Sequence, residues 1–365
     1  MNEDKTMTSI TQVAGAQAAA PKKSAISLGY AFNRAGAILT VAGFGWVVPL
    51  GRLATGTEPR RQVAELWRQL GIPLAAIVLF LLAWGALAPK VQTSLGAVPG
   101  PVEVWAQVDN LIADHRAERA KEAAFNERQA KRNAEAKAEG GEVKTRRFTG
   151  KPTYLDQIAT SLKTVFMGFV LATLVAVPLG VMCGLSKTVN AALNPLIQIF
   201  KPVSPLAWLP IVTMVVSATY VSNDPMFEKA FLNSAITVTL CSLWTTLINT
   251  AIGVASIDKD LVNVGRVLNL PMTTTIRKLV LPSALPYIFT GMRLSLGVGW
   301  MVLIAAEMLA QNPGLGKFVW DEFQNGSSQS LAKIMVAVLT IGLIGFLLDR
   351  VMMALQAMFS HSATR

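Results

Sequence analysis

Long apolar runs alternate with short polar loops along most of this chain. Six runs qualify as bilayer spans: Ile72 to Ala88, Leu162 to Cys183, Leu193 to Ala218, Phe231 to Ala255, Tyr287 to Ala310, and Ile334 to about Met353. Each has roughly 17 residues or more, the minimum for a helix to cross a hydrocarbon core. Backbone amides and carbonyls find no partner in lipid, so runs of this kind fold as helices. The expected fold is therefore an all-α polytopic membrane protein with about six transmembrane helices. A weaker run, Ala35 to Leu50, holds three glycines and a proline and reads as an interfacial helix, with an extra span as the alternative.

The spans divide the chain into an N-terminal cytoplasmic or interfacial region (1–71), a first span (72–88), an external loop (89–161), and a core of five spans (162–365). Arg52, Arg60, Arg61 and Arg68 precede the first span, and Lys259, Arg266, Arg277 and Lys278 fall in the loop at 256–286. The positive-inside rule puts both segments in the cytoplasm, and counting spans gives the same side. The external loop then carries a charged insertion at 113–147, rich in Ala, Glu, Lys and Arg and without a repeating apolar stripe. It reads as a solvated helix or a disordered linker that buries little surface.

The loop at 256–286 is the most distinctive polar segment. Leu261, Val264, Val267 and Leu268 share one helical face, Lys259, Asn263 and Arg266 another, and Asp258 and Asp260 sit in the first turn, where the helix dipole favours anions. Pro271 ends that helix, and a second short one through Arg277 and Lys278 is expected to stop at Pro282. An amphipathic hook between two spans is a docking surface.

Inside the spans a few residues break the apolar rule. Pro202, Pro205 and Pro210 fall in one run together with Ser204 and Trp208. That forces a broken helix, tolerated only against protein or a water-filled cavity, so the segment reads as a pathway lining or a kinked packing helix. Arg293 and Glu307 lie fourteen positions apart on one span, too far to pair with each other. An isolated charge at the bilayer centre costs about 2.5–3.5 kcal/mol. Arg293 reads as a headgroup-level anchor or a pathway group, and Glu307 as a gate or a structural partner. Asn233 with Ser234 and Thr237 offers polar side chains for a small solute or for interhelical hydrogen bonds.

Enzymatic constellations are absent from the sequence. His115 and His361, the two histidines, have no Cys, Asp or Glu at metal spacing, and no GxxxxGK[ST] phosphate loop occurs. Cys183 and Cys241 fall in spans, where a reduced packing cysteine is the expectation. The net charge of +11 suits an anion pathway, but most of it lies in loops and decides little. Nothing suggests nucleic acid as a partner.

The hook resembles the coupling loop of ATP-binding-cassette importer permeases, which has the form EAA, three residues, Gly, nine residues, Ile, one residue, Leu-Pro. Here Asn263-Val264-Gly265 stands for EAA, Asn269 for the Gly and Leu279 for the Ile, while Leu281-Pro282 matches the end. VPGPVEVW, KPVSPLAWLPI, and AEML followed by GLGKFVWDEFQNGS are similar to the nitrate/sulfonate/taurine/bicarbonate group of permeases, and most to its nitrate branch. The resemblance implies a type I importer permease fold and a transport subunit that is not itself an enzyme, moving a small anion, nitrate first and nitrite with it. Bicarbonate, cyanate, or a sulfonate such as taurine is the alternative. It also implies ATPase subunits that bind ATP and Mg on their own chains, an external solute-binding protein, a second permease subunit, a lipid environment in the bacterial inner membrane, and no cofactor on this chain. The ATPase-coupling residues would be Asp258, Asp260, Leu261, Asn263, Val264, Gly265, Arg266, Leu268, Asn269, Leu281 and Pro282. The pathway would use Pro202, Ser204, Pro205, Trp208, Pro210, Asn233, Arg293 and Glu307. A secondary carrier or channel would share the broken helix but should show repeated spans or proton-relay carboxylates, and the hook would have no purpose. A membrane-anchored scaffold would not need three prolines in one span.

Overall fold

A computed structural model describes residues 45–54, 59–93, 96–138, 143, 146–221, 226–327 and 329–360. Most of the Ala35 to Leu50 run, Asp224, Gly140, Gly141 and His361 lie outside the described residues. The chain divides into two units. In the first, up to Leu66, the described part consists of two short helices in mutual contact, α1 (Val47–Ala54) and α2 (Pro59–Leu66).

The second unit begins with a π-helical turn, Trp67–Gly71, and α3 (Ile72–Leu87), an apolar helix none of whose residues is buried. A short antiparallel ribbon of β1 (Gln92–Thr93) and β2 (Gly96–Ala97) leads to α4 (Pro101–Ala138). Then come α5 (Tyr154–Leu185), α6 (Lys187–Phe200), α7 (Pro205–Thr219) and α8 (Lys229–Ala255). The hook follows as α9 (Lys259–Val267) and α10 (Met272–Thr275), and the chain closes with α11 (Leu281–Ala310), α12 (Leu315–Asn325) and α13 (Ser330–Ser360). Among the described residues, five helices are long and apolar enough to cross a membrane, or six if the bent pair α6–α7 counts as one span.

Small residues set the core. Gly168, Ala172, Ala176, Gly180 and Gly184 recur every fourth position along one face of α5. A Cβ on Gly168 would lie 2.7 Å from Val238, and on Gly180 2.6 Å from Thr250, both on α8. Helices in lipid gain from close backbone approach, and this stripe allows it. The pairing runs in one direction, so α5 and α8 are parallel. Thr239 Oγ1 donates to the Gly168 carbonyl at 3.1 Å across the seam. On the other side of α8, α11 runs antiparallel, with Gly291 against Thr246 and Ser295 Oγ donating to the Ser242 carbonyl at 2.8 Å. Most of the polar face of α8 is turned inward and satisfied locally: Ser234, Thr237 and Ser242 donate to carbonyls one turn back.

Two expectations change, and a third is sharpened. The break expected in the run Leu193 to Ala218 is a bend of 103° between two helices, α6 and α7. Pro282 does not stop the second hook helix: a π turn, Ile276–Val280, carries it into α11, where Pro282 stands in the first turn and its missing amide costs nothing. Residues 113–138 of the charged insertion belong to a single 38-residue helix that starts before it, at Pro101. Val104 and Leu111 of that helix are buried, His115 Nδ1 is 2.7 Å from Thr153 Oγ1, and Arg119 pairs with Asp156 at 2.6 Å. Its early turns therefore pack on the core, whereas its later ones are largely exposed.

Candidate functional site

The hook is built on a capped helix with an uncovered apolar face. Asp258 precedes α9, and its Oδ1 accepts the Asp260 N–H at 3.0 Å, which satisfies one of the free amides of the first turn. At the other end the Leu270 N–H reaches back to the Gly265 carbonyl at 3.1 Å, and Asn269 takes φ 45°. That is a left-handed turn in which glycine is favoured and asparagine is among the few substitutes that fit. Gly265 is buried, and a Cβ there would lie 3.0 Å from Leu279 in the π turn, so the two arms of the hook close on this point. Below it, Val254, Val280, Ala284 and Ile288 form a buried cluster with Ile257, Ile276 and Leu281 packed against it. Pro282 is half-buried beside them.

The outer face of the hook is covered by nothing among the described residues. Leu261 is 42% exposed, Val264 52%, Val267 80% and Leu268 62%, with Asn263 exposed beside them. The backbone of Arg266 lies in α9, and its side chain is outside the described residues. A rigid anchor and an exposed apolar face are the features of a surface made for a second chain.

The break in the α6–α7 pair falls at Lys201–Ser204. Ser204 caps α7, its Oγ accepting the Leu206 N–H at 3.3 Å; Pro205 follows at the first helical position, Pro202 lies in the turn itself, and Pro210 stands inside α7. The Phe200 ring lies between two indoles, 5.7 Å from Trp208 and 6.1 Å from Trp244 of α8. Both indole N–H groups are enclosed and donate to nothing among the described residues. Asn233 is buried on α8, and its Oδ1 also has no partner among them.

Glu307 and Arg293 separate in role. Glu307 is fully buried: Ser161 Oγ of α5 lies 2.8 Å from both of its oxygens, and the Gly316 N–H donates to it at 3.0 Å. Ser161 in turn accepts the Leu315 N–H at 2.8 Å, so serine and carboxylate together cap α12 at its positive end. Asn312, also buried, donates to Thr164 Oγ1 at 3.1 Å. Glu307 therefore caps α12 within the packed end of the bundle. Arg293 holds Asp349 of α13 with two bonds, Nε to Oδ1 at 2.5 Å and Nη2 to Oδ2 at 3.0 Å. Its neighbours Gly291 and Ser295 contact Thr246 and Ser242 on α8. Ser242 lies at the midpoint of α8 (Lys229–Ala255), so Arg293 sits level with the middle of that helix, at mid-depth in the bundle.

Of the predicted pathway residues, Ser204, Pro205 and Trp208 share the break, while Asn233, Arg293 and Glu307 sit on other elements. Sequence reasoning missed Ser161, Asn312 and Trp244, which carry no local signal. Asp349 was missed as Arg293's partner as well; its signal in the sequence is an acid within the last apolar run, beside Arg350.

Residues 176–364 match the family model described as binding-protein-dependent transport system inner membrane component. The chain belongs to this family. It is a multi-pass inner-membrane protein. Among its relatives, the nitrate import permease protein NrtB of Synechococcus elongatus is 37% identical over 194 residues, 53% of this chain and 66% of that protein. The bicarbonate transport system permease protein CmpB of the same species is 33% identical over 314 residues, 83% of this chain and 98% of that protein. An inward-facing structure of the MetNI methionine ABC transporter aligns with 58% of this chain and 96% of its own, at 15% identity and a TM-score of 0.46.

Proposed function

We propose that this chain is the permease subunit of an ATP-driven importer of a small planar oxyanion, nitrate first. The observation that carries the reading is the hook, a rigidly anchored helix that offers Leu261, Val264, Val267 and Leu268 to a partner. An ATPase subunit is the occupant that the family and the coupling-loop spacing support. ATP and Mg would then be bound by that partner, and this chain would have no catalytic role. Substrate would arrive on an external solute-binding protein, and a second permease subunit, identical to this one or similar, would complete the pathway.

The hook continues through its π turn into α11, the helix that carries Arg293. ATPase movement would thus be passed directly to mid-membrane. Nitrate is supported by the similarity to the nitrate permease and by the motifs around Trp208 and Trp320. Bicarbonate is the second reading, favoured by the longer alignment with the bicarbonate permease, which spans 98% of that protein. Both anions are flat and carry three oxygens, so the pathway chemistry is shared. The transporter assembled in vesicles, given labelled nitrate or labelled bicarbonate in turn, separates them. Uptake of nitrate that excess bicarbonate does not inhibit is expected. The converse pattern would make bicarbonate the substrate.

A further inference from the structure

Arg293 and Asp349 border a cavity of about 240 Å3 between α11 and α13, whose other walls include Leu296, Gly297, Trp300 and Gly345. The Trp300 indole N–H is already committed to the Ile341 carbonyl at 3.0 Å, so the ion pair supplies the polar chemistry of this space. Its two side chains are 37% and 35% exposed at mid-depth in the bundle. Acyl chains cannot solvate such a pair, and intramembrane charges face water or protein. Asp349 engages one edge of the guanidinium, Nε and Nη2. Nη1 donates to nothing among the described residues, so the second edge of the fork is open. Glycine at 297 and 345 keeps the approach narrow in atoms but open in space: a Cβ at 297 would meet nothing within 4 Å, and one at 345 would press on Trp300 at 3.0 Å.

We infer that the free Nη1/Nη2 edge of Arg293 is an anion-reading point in the translocation pathway and that Asp349 is the positioning residue that holds it side-on. A planar oxyanion presents two coplanar oxygens to that edge just as a carboxylate does, whereas a spherical anion offers it no pair of oxygens. Asp349 also offsets the arginine charge, so the anion is held weakly enough to leave, which a conduit requires. The inference rests on the anion-import reading. It adds the residue that recognises the cargo and the acid that tunes it.

The test uses the full permease with its ATPase in lipid nanodiscs for binding and in vesicles for uptake, with sodium nitrate as the probe and sodium chloride as the mismatched anion. Asp349→Asn removes the competing charge but keeps an oxygen for Nε. Nitrate should bind about ten-fold or more tighter and turn over more slowly, a split that a purely structural pair would not produce. Arg293→Lys keeps the charge and loses the fork, and should weaken nitrate binding about ten-fold or more while chloride binding stays unchanged. If either variant fails to assemble, the exchange Arg293→Asp with Asp349→Arg restores the pair. It should recover assembly without recovering nitrate uptake. Wild-type uptake by Arg293→Lys or by the exchanged pair would overturn the site and leave the importer reading standing. A wild-type complex that imports neither nitrate nor bicarbonate would overturn both.

Discussion

Replacing Glu307 with glutamine tests whether this carboxylate is a cap or a gate. The side chain is fully buried and accepts from Ser161 Oγ at 2.8 Å and from the Gly316 N–H at 3.0 Å. Glutamine has nearly the same size but keeps only one acceptor, and its amide would face one of those two donors. Leaving a buried donor unsatisfied costs about 1–3 kcal/mol. Removing the negative charge from the N-terminus of α12 adds roughly 0.3–1 kcal/mol, and up to about 2 where the site is buried. The sum, about 1–5 kcal/mol, is a large share of the roughly 5–15 kcal/mol by which a native protein is stable. Thermal unfolding of the detergent-solubilised chain, followed by loss of the monodisperse peak, should shift down by several degrees. Limited proteolysis should cut first between Ala310 and Ser330 as α12 detaches. Glu307→Asp should rescue little, because its shorter side chain no longer reaches Gly316. If Glu307→Gln were as stable as wild type yet blocked transport, the capping account would be wrong and a gate would replace it.

Three further outcomes follow from the same geometry. Val264→Asp with Leu268→Asp should abolish co-purification with the ATPase while membrane insertion, checked by fractionation, stays normal, since both side chains point away from the fold. Gly168→Leu should destabilise the α5–α8 seam by about 1–3 kcal/mol, because its Cβ already meets Val238 at 2.7 Å, and the effect should appear as a lower melting temperature. At Asn269, held at φ 45°, glycine should be tolerated and valine should cost about 1 kcal/mol or more, read as weaker ATPase retention.

The readable parts of this protein were those whose physics is local. Helical periodicity disclosed the hook, and the Gly-to-Asn change at 269 pointed to the left-handed turn that the backbone adopts. Three prolines disclosed a break between Pro202 and Pro210, but not its 103° bend, which depends on where α6 and α7 pack. Pro282 misled because proline ends a helix only when an amide is needed there, and a π turn removes the need. The partners of Glu307 could not be read: Ser161 lies 146 positions away and looks like any span serine. The same holds for the charged helix α4, whose anchoring residues Val104 and Leu111 are too few to make a stripe.

The most direct test of the central claim is accumulation of 15N-nitrate in vesicles holding this permease, its ATPase and the external binding protein. Uphill accumulation that starts on addition of ATP and Mg, and is lost with Val264→Asp and Leu268→Asp, is the predicted result. Uptake that runs only downhill, or that proceeds equally without ATP, would contradict it and make the chain a channel or a carrier.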